Sequence, residues 1–402
     1  MPTETFDFAR LLGPLEADQF FAEFWERKYL HLKRSQPHYY QSLICAADLE
    51  KIISDSDARY PAIRLAKGGG YFAPETYTRD VKHGDESFTG IPDVKRISDE
   101  YRRGATVALP AIQRTWKPLG LLCDALQREL DHAVHANIYI TPGNASGFTP
   151  HYDTHEVFVL QVAGSKRWSI YEPSVPLPHR GQPFTPHAYS GQPPIGVVDL
   201  EPGDLLYLPR GFLHSTTTAH GFSAHVTIGV TVYTWADVIR QYLQAGNDVL
   251  DLRRSLPPGF ASKPELKTQV VDGLAAGLER LRTEVDSHAL IDVFTERVLA
   301  SRVPRPEPFR VDVKVVEATT MLSMPAATTY RYSDAAESGL LEFNGVRYQL
   351  PAPVASTFRA MVALQRFRPA ELPAHLSPEG NLGFSRQLVD VGFLSLDLSR
   401  DH

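Results

Sequence analysis

The chain has 402 residues, 43% hydrophobic and 22% charged, the balance of a globular protein too long for one ordinary core. Forty-one basic against 47 acidic side chains leave a formal charge of −6, which gives no overall drive toward nucleic acid. Two cysteines, Cys45 and Cys123, imply no disulfide framework and have no metal-site spacing. Met1 to Phe8 lacks the basic and apolar regions of a signal peptide, and no run approaches the roughly 18 apolar residues that span a bilayer. The expected compartment is the cytoplasm.

Phe8, Leu11, Leu12, Leu15, Phe20, Phe21, Phe24 and Trp25 recur at mostly helical spacing and predict two short helices, with Asp18 capping the second. Tyr29 to Lys33 alternates as a strand, Asp48 to Ser54 starts a helix, and Arg59 to Leu65 reads as a strand. Gly68-Gly69-Gly70 is a loop without the Gly-Lys-Ser/Thr that a phosphate cradle needs. A helix is predicted over Leu119 to Leu130, then a strand over His135 to Thr141 ending in a Pro142-Gly143-Asn144 turn.

The stretch from Thr149 to Trp168 opens with His151-Tyr152-Asp153 and runs into an apolar strand, Val157 to Val162. A Gly-Ser turn follows, then Lys166 and a second strand, Trp168 to Tyr171. Further strands are predicted at Val197 to Glu201, Leu205 to Pro209 and Ser223 to Tyr233, separated by turns at Pro202-Gly203-Asp204 and Arg210-Gly211-Phe212-Leu213. Short strands with this turn chemistry predict a double-sheet jelly roll of the cupin kind.

In an extended chain residues i and i+2 point the same way, so His151 and Asp153 face one point. His214 returns sixty-one residues after Asp153, behind Gly-Asp-Leu-Leu-Tyr-Leu-Pro, and completes a 2-His-1-carboxylate set. Such a triad holds non-haem Fe(II) with positions left open; Mn(II) and Zn(II) suit the same donors, and a metal-free polar cluster is the bland alternative. An open face accommodates a chelating co-substrate and dioxygen, and the far carboxylate of that co-substrate needs a cation. Lys166 is placed to supply it, against the alternative of an exposed turn lysine. Tyr139 and Asn137 share one strand face, as do Ser223, His225 and Thr227. If these faces line the barrel, Tyr139 and Thr227 add hydroxyls for the same carboxylate and Asn137 sits near the metal; otherwise each is a satisfied core polar group. His155 shares the parity of His151 and Asp153 and is read as a fourth polar group in the mouth. His132, His135, His179, His187 and His220 read as surface or loop residues. No Gly-x-Ser-x-Gly elbow supports a Ser-His-Asp hydrolase.

After Trp235 the pattern turns helical, over Asp237 to Leu252 and Glu265 to Arg302. Leu274, Leu278, Leu281 and Val285 form a narrow apolar stripe that either packs on the barrel or pairs two subunits. Val303 to Pro308 reads as a linker. Beyond it, strands (Tyr330 to Tyr332, Leu340 to Leu350) mix with helices (Pro353 to Gln365, Ser385 to Gly392), in a length that suits a small winged-helix-like domain.

Asn137-Ile-Tyr-Ile-Thr-Pro-Gly, His151-Tyr-Asp, Phe158-Val-Leu-Gln-Val-x-Gly-x-Lys166-Arg-Trp, Leu200-Glu-Pro-Gly-Asp-Leu-Leu-Tyr-Leu-Pro-Arg-Gly-Phe-Leu-His214 and Ser223-Ala-His-Val-Thr-Ile carry a family resemblance. Over about a hundred residues the chain resembles the cupin-4 branch of the Jumonji-C (JmjC) oxygenases, the ribosomal oxygenase group. Phe24 to Lys33 also resembles the segment that precedes the barrel in that group. The resemblance implies a mainly β catalytic core of double-stranded β-helix type with an N-terminal extension (1–234), an α-helical dimerisation region (235–302) and a winged-helix-like α+β domain (303–402). It implies iron bound by His151, Asp153 and His214, and 2-oxoglutarate held by Lys166 with Tyr139 and Thr227. Some members carry arginine at the position of Lys166, and the lysine is closer to the histidyl-hydroxylase relatives.

The activity implied is an Fe(II)- and 2-oxoglutarate-dependent dioxygenase that hydroxylates a protein side chain, a His or Arg of a ribosomal protein, in a homodimer. Two alternatives stand beside it. One keeps the cofactors but acts on a peptide natural product, a small molecule or a methyl-lysine; the other is a non-catalytic cupin and winged-helix sensor. A sensor needs a basic recognition helix, whereas Ser385 to Phe393 holds one arginine and one aspartate, which argues against direct nucleic-acid binding.

Overall fold

The computed structural model describes residues 6–54, 59–145, 149–185, 189, 191–218, 221–302, 313–325, 328, 330–335, 338–343 and 346–397. His187, His220 and the proposed linker of residues 303–308 lie outside them. The chain divides into two compact units, Met1–Val232 and Tyr233–His402.

The first unit contains helices α1 (Phe8–Leu12), α2 (Ala17–Glu23), α3 (Ala46–Ser54), α4 (Val94–Arg102) and α5 (Lys117–Leu130). Its strands are β1 (Leu30–Leu32), β2 (Arg64–Lys67), β3 (Gly70–Tyr71), β4 (Thr78–His83), β5 (Glu86–Pro92), β6 (Thr106–Leu109) and β7 (Ala133–Pro142). They continue with β8 (Glu156–Gly164), β9 (Lys166–Tyr171), β10 (Gly196–Leu200), β11 (Leu205–Leu208), β12 (Leu213–Thr217) and β13 (Phe222–Thr231). One sheet has the order β1-β11-β8-β13-β7-β6-β2-β3, a second is β10-β9-β12, and β4 pairs with β5.

Alternation along the strands builds two cores from one sheet. On one face of the large sheet, Ile138, Phe158, Leu160, Val226 and Ile228 are fully buried with Leu11, Phe20 and Leu122 from α1, α2 and α5. On the opposite face, Val157, Val159, Leu206 and Leu208 bury against Trp168, Ile170 and Leu200 of the small sheet. Each such side chain contributes roughly 1.5–3 kcal/mol by leaving water, which fixes the register of strands that carry it. The interior between the sheets is apolar there and polar along β7 and β13.

A buried ionic cluster ties the N-terminal segment to the barrel. Arg210 donates to Glu156 (2.7 Å) and to Glu26, and the Tyr207 hydroxyl donates to Glu156. The Glu26 amide donates to that same hydroxyl (3.0 Å), and Trp25 stacks on the Tyr207 ring at 6.0 Å.

Several expectations shift. Asp18 does not cap α2: the N-cap is Glu16, without a side-chain bond, and Asp18 sits in the first turn, where its charge complements the helix dipole. The strand read over Arg59 to Leu65 begins only at Arg64, beyond Pro61, which lacks the N–H a ladder needs.

The second unit opens with α6 (Trp235–Ala245), whose Thr234 and Asp237 form a reciprocal capping box. The long helical stretch is two helices, α7 (Lys267–Glu284) and α8 (Ser287–Ala300), because Asp286 caps a new helix by accepting from the amides of His288 and Ala289. Val271, Leu274 and Leu278 of α7 are each more than half exposed, while Leu281 is buried. Strands β14 (Leu322–Ser323), β15 (Tyr330–Ala335), β16 (Ser338–Phe343), β17 (Val346–Pro351), β18 (Arg366–Phe367) and β19 (Ser395–Leu396) follow, with α9 (Ala352–Leu364) and α10 (Pro378–Asp390). Phe358 and Phe393 pack at 5.2 Å in the centre of this small core, with Tyr330 and Phe343 around them.

Candidate metal and carboxylate site

His151 and His214 are directly opposed in an isolated antiparallel bridge. His214 lies near the start of β12, while His151 precedes β8, and the turn between them is held by Gly211 N donating to Asp153 O at 3.0 Å. One ligand atom from each of His151, Asp153 and His214 lies within 4.8 Å of the others, the only such cluster of three among the described residues. The two imidazoles are 4.4 Å apart by centroid, and His214 Nε2 is 3.7 Å from Asp153 Oδ2.

The tautomers are set locally. His151 Nδ1 lies 2.9 Å from Thr149 O and His214 Nδ1 lies 3.1 Å from Phe212 O, so each Nδ1 carries the proton and each Nε2 keeps its lone pair for a metal. Burial, with His151 beside it, pulls the His214 pKa down to about 4, so the ring is neutral, the form that ligates. Burial pushes the Asp153 carboxyl up, but His155, His214, His151 and His135 outweigh it and hold it below its ordinary value. The donor set fits a divalent first-row ion with an open face.

Lys166 begins β9 and is only 4% exposed, not a surface turn lysine. Its Nζ donates to Thr141 Oγ1 at 3.0 Å, and that hydroxyl lies 3.1 Å from Thr106 Oγ1. Among the described residues it has no acidic partner, and burial pushes its pKa down to about 7. A cation buried beside hydroxyls without a counter-charge is a site waiting for an anion.

Between Lys166 and the triad runs a polar wall. Asn137, Tyr139 and Thr141 project from one face of β7, opposite Thr227, His225 and Ser223 of β13. The Tyr139 and His225 rings stack at 5.4 Å, and Trp168 lies 5.6 Å from His214 and 5.7 Å from His225. Asn137 Oδ1 accepts from Ala111 N at 3.0 Å, and burial raises the Tyr139 hydroxyl well above the ordinary tyrosine range. Among the described residues, His225 Nδ1 and Trp168 Nε1 are buried with no hydrogen-bond partner, as expected of groups that face a polar ligand. Burial, with Lys166 near, holds the His225 imidazole neutral.

Sequence reasoning overlooked Thr141 and Thr106, and misplaced His135. Thr141 has the strand parity of Asn137 and Tyr139, a signal that was available. His135 is on β7, half-buried, with its ring 5.0 Å from that of His155, and not on a loop. His132 is also partly buried, stacked on Trp25 at 6.3 Å, while His179 is exposed.

The JmjC domain profile matches residues 112–238. Mouse ribosomal oxygenase 2 is 30% identical over 309 residues, covering 69% of this chain and 60% of that protein. A Culex quinquefasciatus protein named bifunctional lysine-specific demethylase and histidyl-hydroxylase NO66 is 33% identical over 263 residues, 62% of this chain and 39% of its own length. The chain thus spans less than two thirds of these curated relatives. The crystal structure of Escherichia coli YcfD superposes with a TM-score of 0.56 at 18% identity, over 95% of this chain and 98% of that one. A structure of the same bacterial protein, a ribosomal oxygenase in complex with cobalt and 2-oxoglutarate, gives 0.53 at 17% identity, over 96% and 99%. The shared fold and the sequence matches agree with the site's geometry: residues 112–238 match the JmjC domain, and the chain is similar to ribosomal oxygenases over part of their length.

Proposed function

We propose that the chain is an Fe(II)- and 2-oxoglutarate-dependent dioxygenase that hydroxylates a side chain of a protein, with a His or Arg of a ribosomal protein as the target. The observation that carries this is a buried Lys166 with no acidic partner among the described residues, joined by one polar wall to a His-Asp-His cluster. Relatives named ribosomal oxygenase and histidyl-hydroxylase, and a neighbour that binds cobalt and 2-oxoglutarate, support the same reading.

His151 and His214 would hold the metal through Nε2 and Asp153 through a carboxylate oxygen. Lys166, with the Thr141 hydroxyl, receives the distal carboxylate of 2-oxoglutarate; Tyr139 and Thr227 add hydroxyls, and Asn137 sits nearer the metal. When bound, Fe(II) and 2-oxoglutarate supply the oxidation: one oxygen atom of dioxygen goes to succinate with loss of carbon dioxide, the other to a target C–H bond as hydroxyl. The side chains supply positioning and neutral ligands, and Val159, Ile170 and Trp168 keep the interior dry.

The proposed organisation is a catalytic domain with its N-terminal extension (1–234), a helical dimerisation region (235–302) and a winged-helix-like domain (303–402), in a cytoplasmic homodimer. The exposed Val271, Leu274 and Leu278 of α7 support pairing of two subunits. No helix among the described residues is long and apolar enough to cross a membrane.

Anaerobic addition of Fe(II) and then 2-oxoglutarate tests the site: a weak visible charge-transfer band marks chelation at an open iron. Metal that binds without the band refutes the 2-oxoglutarate reading. Turnover with ribosomal proteins then distinguishes targets, since hydroxylation adds one oxygen whereas demethylation of a methyl-lysine releases formaldehyde.

A further inference from the structure

The backbone bond from Gly211 N to Asp153 O is the shared edge of two closed rings of residues. One ring runs from His151 through Tyr152 to Asp153, crosses to Gly211 and returns through Phe212 and Leu213 to His214, where the bridge between the two histidines closes it. It carries the whole candidate ligand set. The other ring runs from Asp153 through Thr154 and His155 to Glu156, crosses to Arg210 and steps along the chain to Gly211. Its closure is an ion pair, Arg210 Nη1 to Glu156 Oε1 at 2.7 Å, between a fully buried carboxylate and a guanidinium that is scarcely exposed.

That closure is itself braced. The Tyr207 hydroxyl donates to the second oxygen of Glu156, so both carboxylate oxygens are engaged. Glu26 presents its carboxylate to Arg210 and its amide N–H to the Tyr207 hydroxyl, from a left-handed backbone (φ +59°) that a residue with a side chain keeps only where its neighbours hold it. Gly211, also left-handed at φ +89°, lies so close to Val175 that a Cβ would fall 2.3 Å from its carbonyl oxygen. The Asp153 carboxylate, by contrast, accepts no hydrogen bond among the described residues; its nearest polar neighbour is His214 Nε2 at 3.7 Å. A ligating carboxylate is ordinarily aimed by such bonds, so here the aim comes from the backbone that carries it.

We infer that Arg210, Glu156 and Tyr207 are positioning residues for the metal site. They brace the edge between Asp153 and Gly211 and thereby fix where the Asp153 carboxylate stands relative to the His151 and His214 imidazoles. Glu26 makes the N-terminal segment the outer stay of the same brace. This rests on the metal-site part of the dioxygenase reading. None of the positioning residues belongs to the ligand cluster, so their effect is transmitted through the shared backbone bond: loosening the ion pair frees one ring, and the carboxylate in the other loses its aim.

The test uses the full chain with Co(II) as the probe, at a temperature where circular dichroism shows every variant folded. Competition with a chelator gives the dissociation constant, and the visible bands of the bound ion report its coordination geometry. Glu156→Gln and Arg210→Met should each weaken Co(II) by about tenfold or more and change the band intensities. Tyr207→Phe, which adds no atom and keeps the ring on Trp25, should weaken it by about threefold. Arg210→Met combined with Glu156→Gln removes both buried charges and should regain melting temperature over Arg210→Met alone without regaining Co(II) affinity. Leu122→Ala, in the helix-side core, is the control: it should lower the melting temperature and leave affinity and bands as in the parent. If the double variant regains affinity along with stability, if Leu122→Ala weakens Co(II) as much as Glu156→Gln does, or if Tyr207→Phe binds like the parent, the brace is structural only and this proposal alone is overturned. If the parent itself fails to bind Co(II), the metal-site reading falls and this proposal with it.

Discussion

His151 and His214 exchange both backbone hydrogen bonds, His151 N to His214 O at 3.1 Å and His214 N to His151 O at 2.8 Å, so one bridge sets the spacing of two metal ligands. The side chains of a directly opposed pair project to the same side, which is why residues sixty-three positions apart meet. Replacing His214 with alanine keeps this bridge and removes a ligand. Metal affinity, measured by equilibrium dialysis with Co(II) or Fe(II), is expected to fall by about 100-fold or more while the circular dichroism is retained. Undiminished affinity would remove His214 from the site.

Lys166 sets co-substrate affinity against stability. Lys166→Met removes a buried unpaired cation and keeps its apolar stem, so the metal-free protein is expected to melt at a higher temperature than the parent. The Michaelis constant for 2-oxoglutarate is expected to rise by roughly 100-fold, the worth of a charge-assisted hydrogen bond in a dry site. A melting temperature that drops, with an unchanged constant, would make Lys166 a structural residue.

The same lysine predicts a pH dependence. Its pKa of about 7 in the folded protein is depressed from the ordinary 10.5 by burial. Between those values the unfolded chain binds a proton that the folded chain does not, so this residue's contribution raises stability as pH rises from 7 to 10.5 and is lost as pH falls through about 7. A carboxylate ligand prefers the protonated lysine. Its dissociation constant is therefore expected to rise about tenfold per pH unit above 7, with uptake of nearly ~1 proton per 2-oxoglutarate bound at pH 8. Calorimetry in buffers of different ionisation enthalpy reads that proton; zero uptake would contradict the assignment.

Arg210 is 5% exposed and Glu156 is fully buried, so breaking their pair leaves an uncompensated buried charge. Arg210→Met is expected to cost about 3–5 kcal/mol in denaturant unfolding, and Glu156→Gln in the same chain should restore part of the loss. Strict additivity of the two substitutions would show that the ion pair is not coupled.

Gly164 closes the turn between β8 and Lys166 at φ +59°, and an added Cβ would overlap the carbonyl oxygen of Phe222. Gly164→Ala is expected to destabilise by more than the ~1–2 kcal/mol of the left-handed conformation alone, and to weaken 2-oxoglutarate binding by displacing Lys166. Thermal melts and the Michaelis constant for 2-oxoglutarate check both effects.

What could be read from the sequence was what is local. His151 and Asp153 are two apart on an extended segment, and Gly-Asp-x-x-Tyr-x-Pro-x-Gly marks the return to His214, so the cluster follows from parity and turn chemistry. The β8 and β11 strands announce themselves as short apolar runs between turn residues, buried on both faces, and β13 by its alternation of Ala224, Val226 and Ile228 with polar residues. Burial of Lys166 was not legible, since hairpin lysines usually face water and only the Thr141 and Thr106 hydroxyls show where its ammonium goes. His135 lay one step beyond the residues given to the strand face, and nothing in sequence pairs it with His155. The β2, β3 and β6 strands, of four, two and four residues, are too short to show a period, and their pairing depends on the long β7. Asp286 breaks the helix between α7 and α8 because a cap competes with continued periodicity.

The bridge between His151 and His214 also crosses from the large sheet, which His151 enters through β8, to the small sheet, where His214 lies on β12. An ion coordinated by both side chains spans the same seam as the two backbone bonds and acts as a clasp on the sandwich. Opening of the seam is then linked to metal occupancy: the His151 and His214 amides should exchange hydrogen faster in chelator than in excess metal, while amides in the centre of β13 keep their protection.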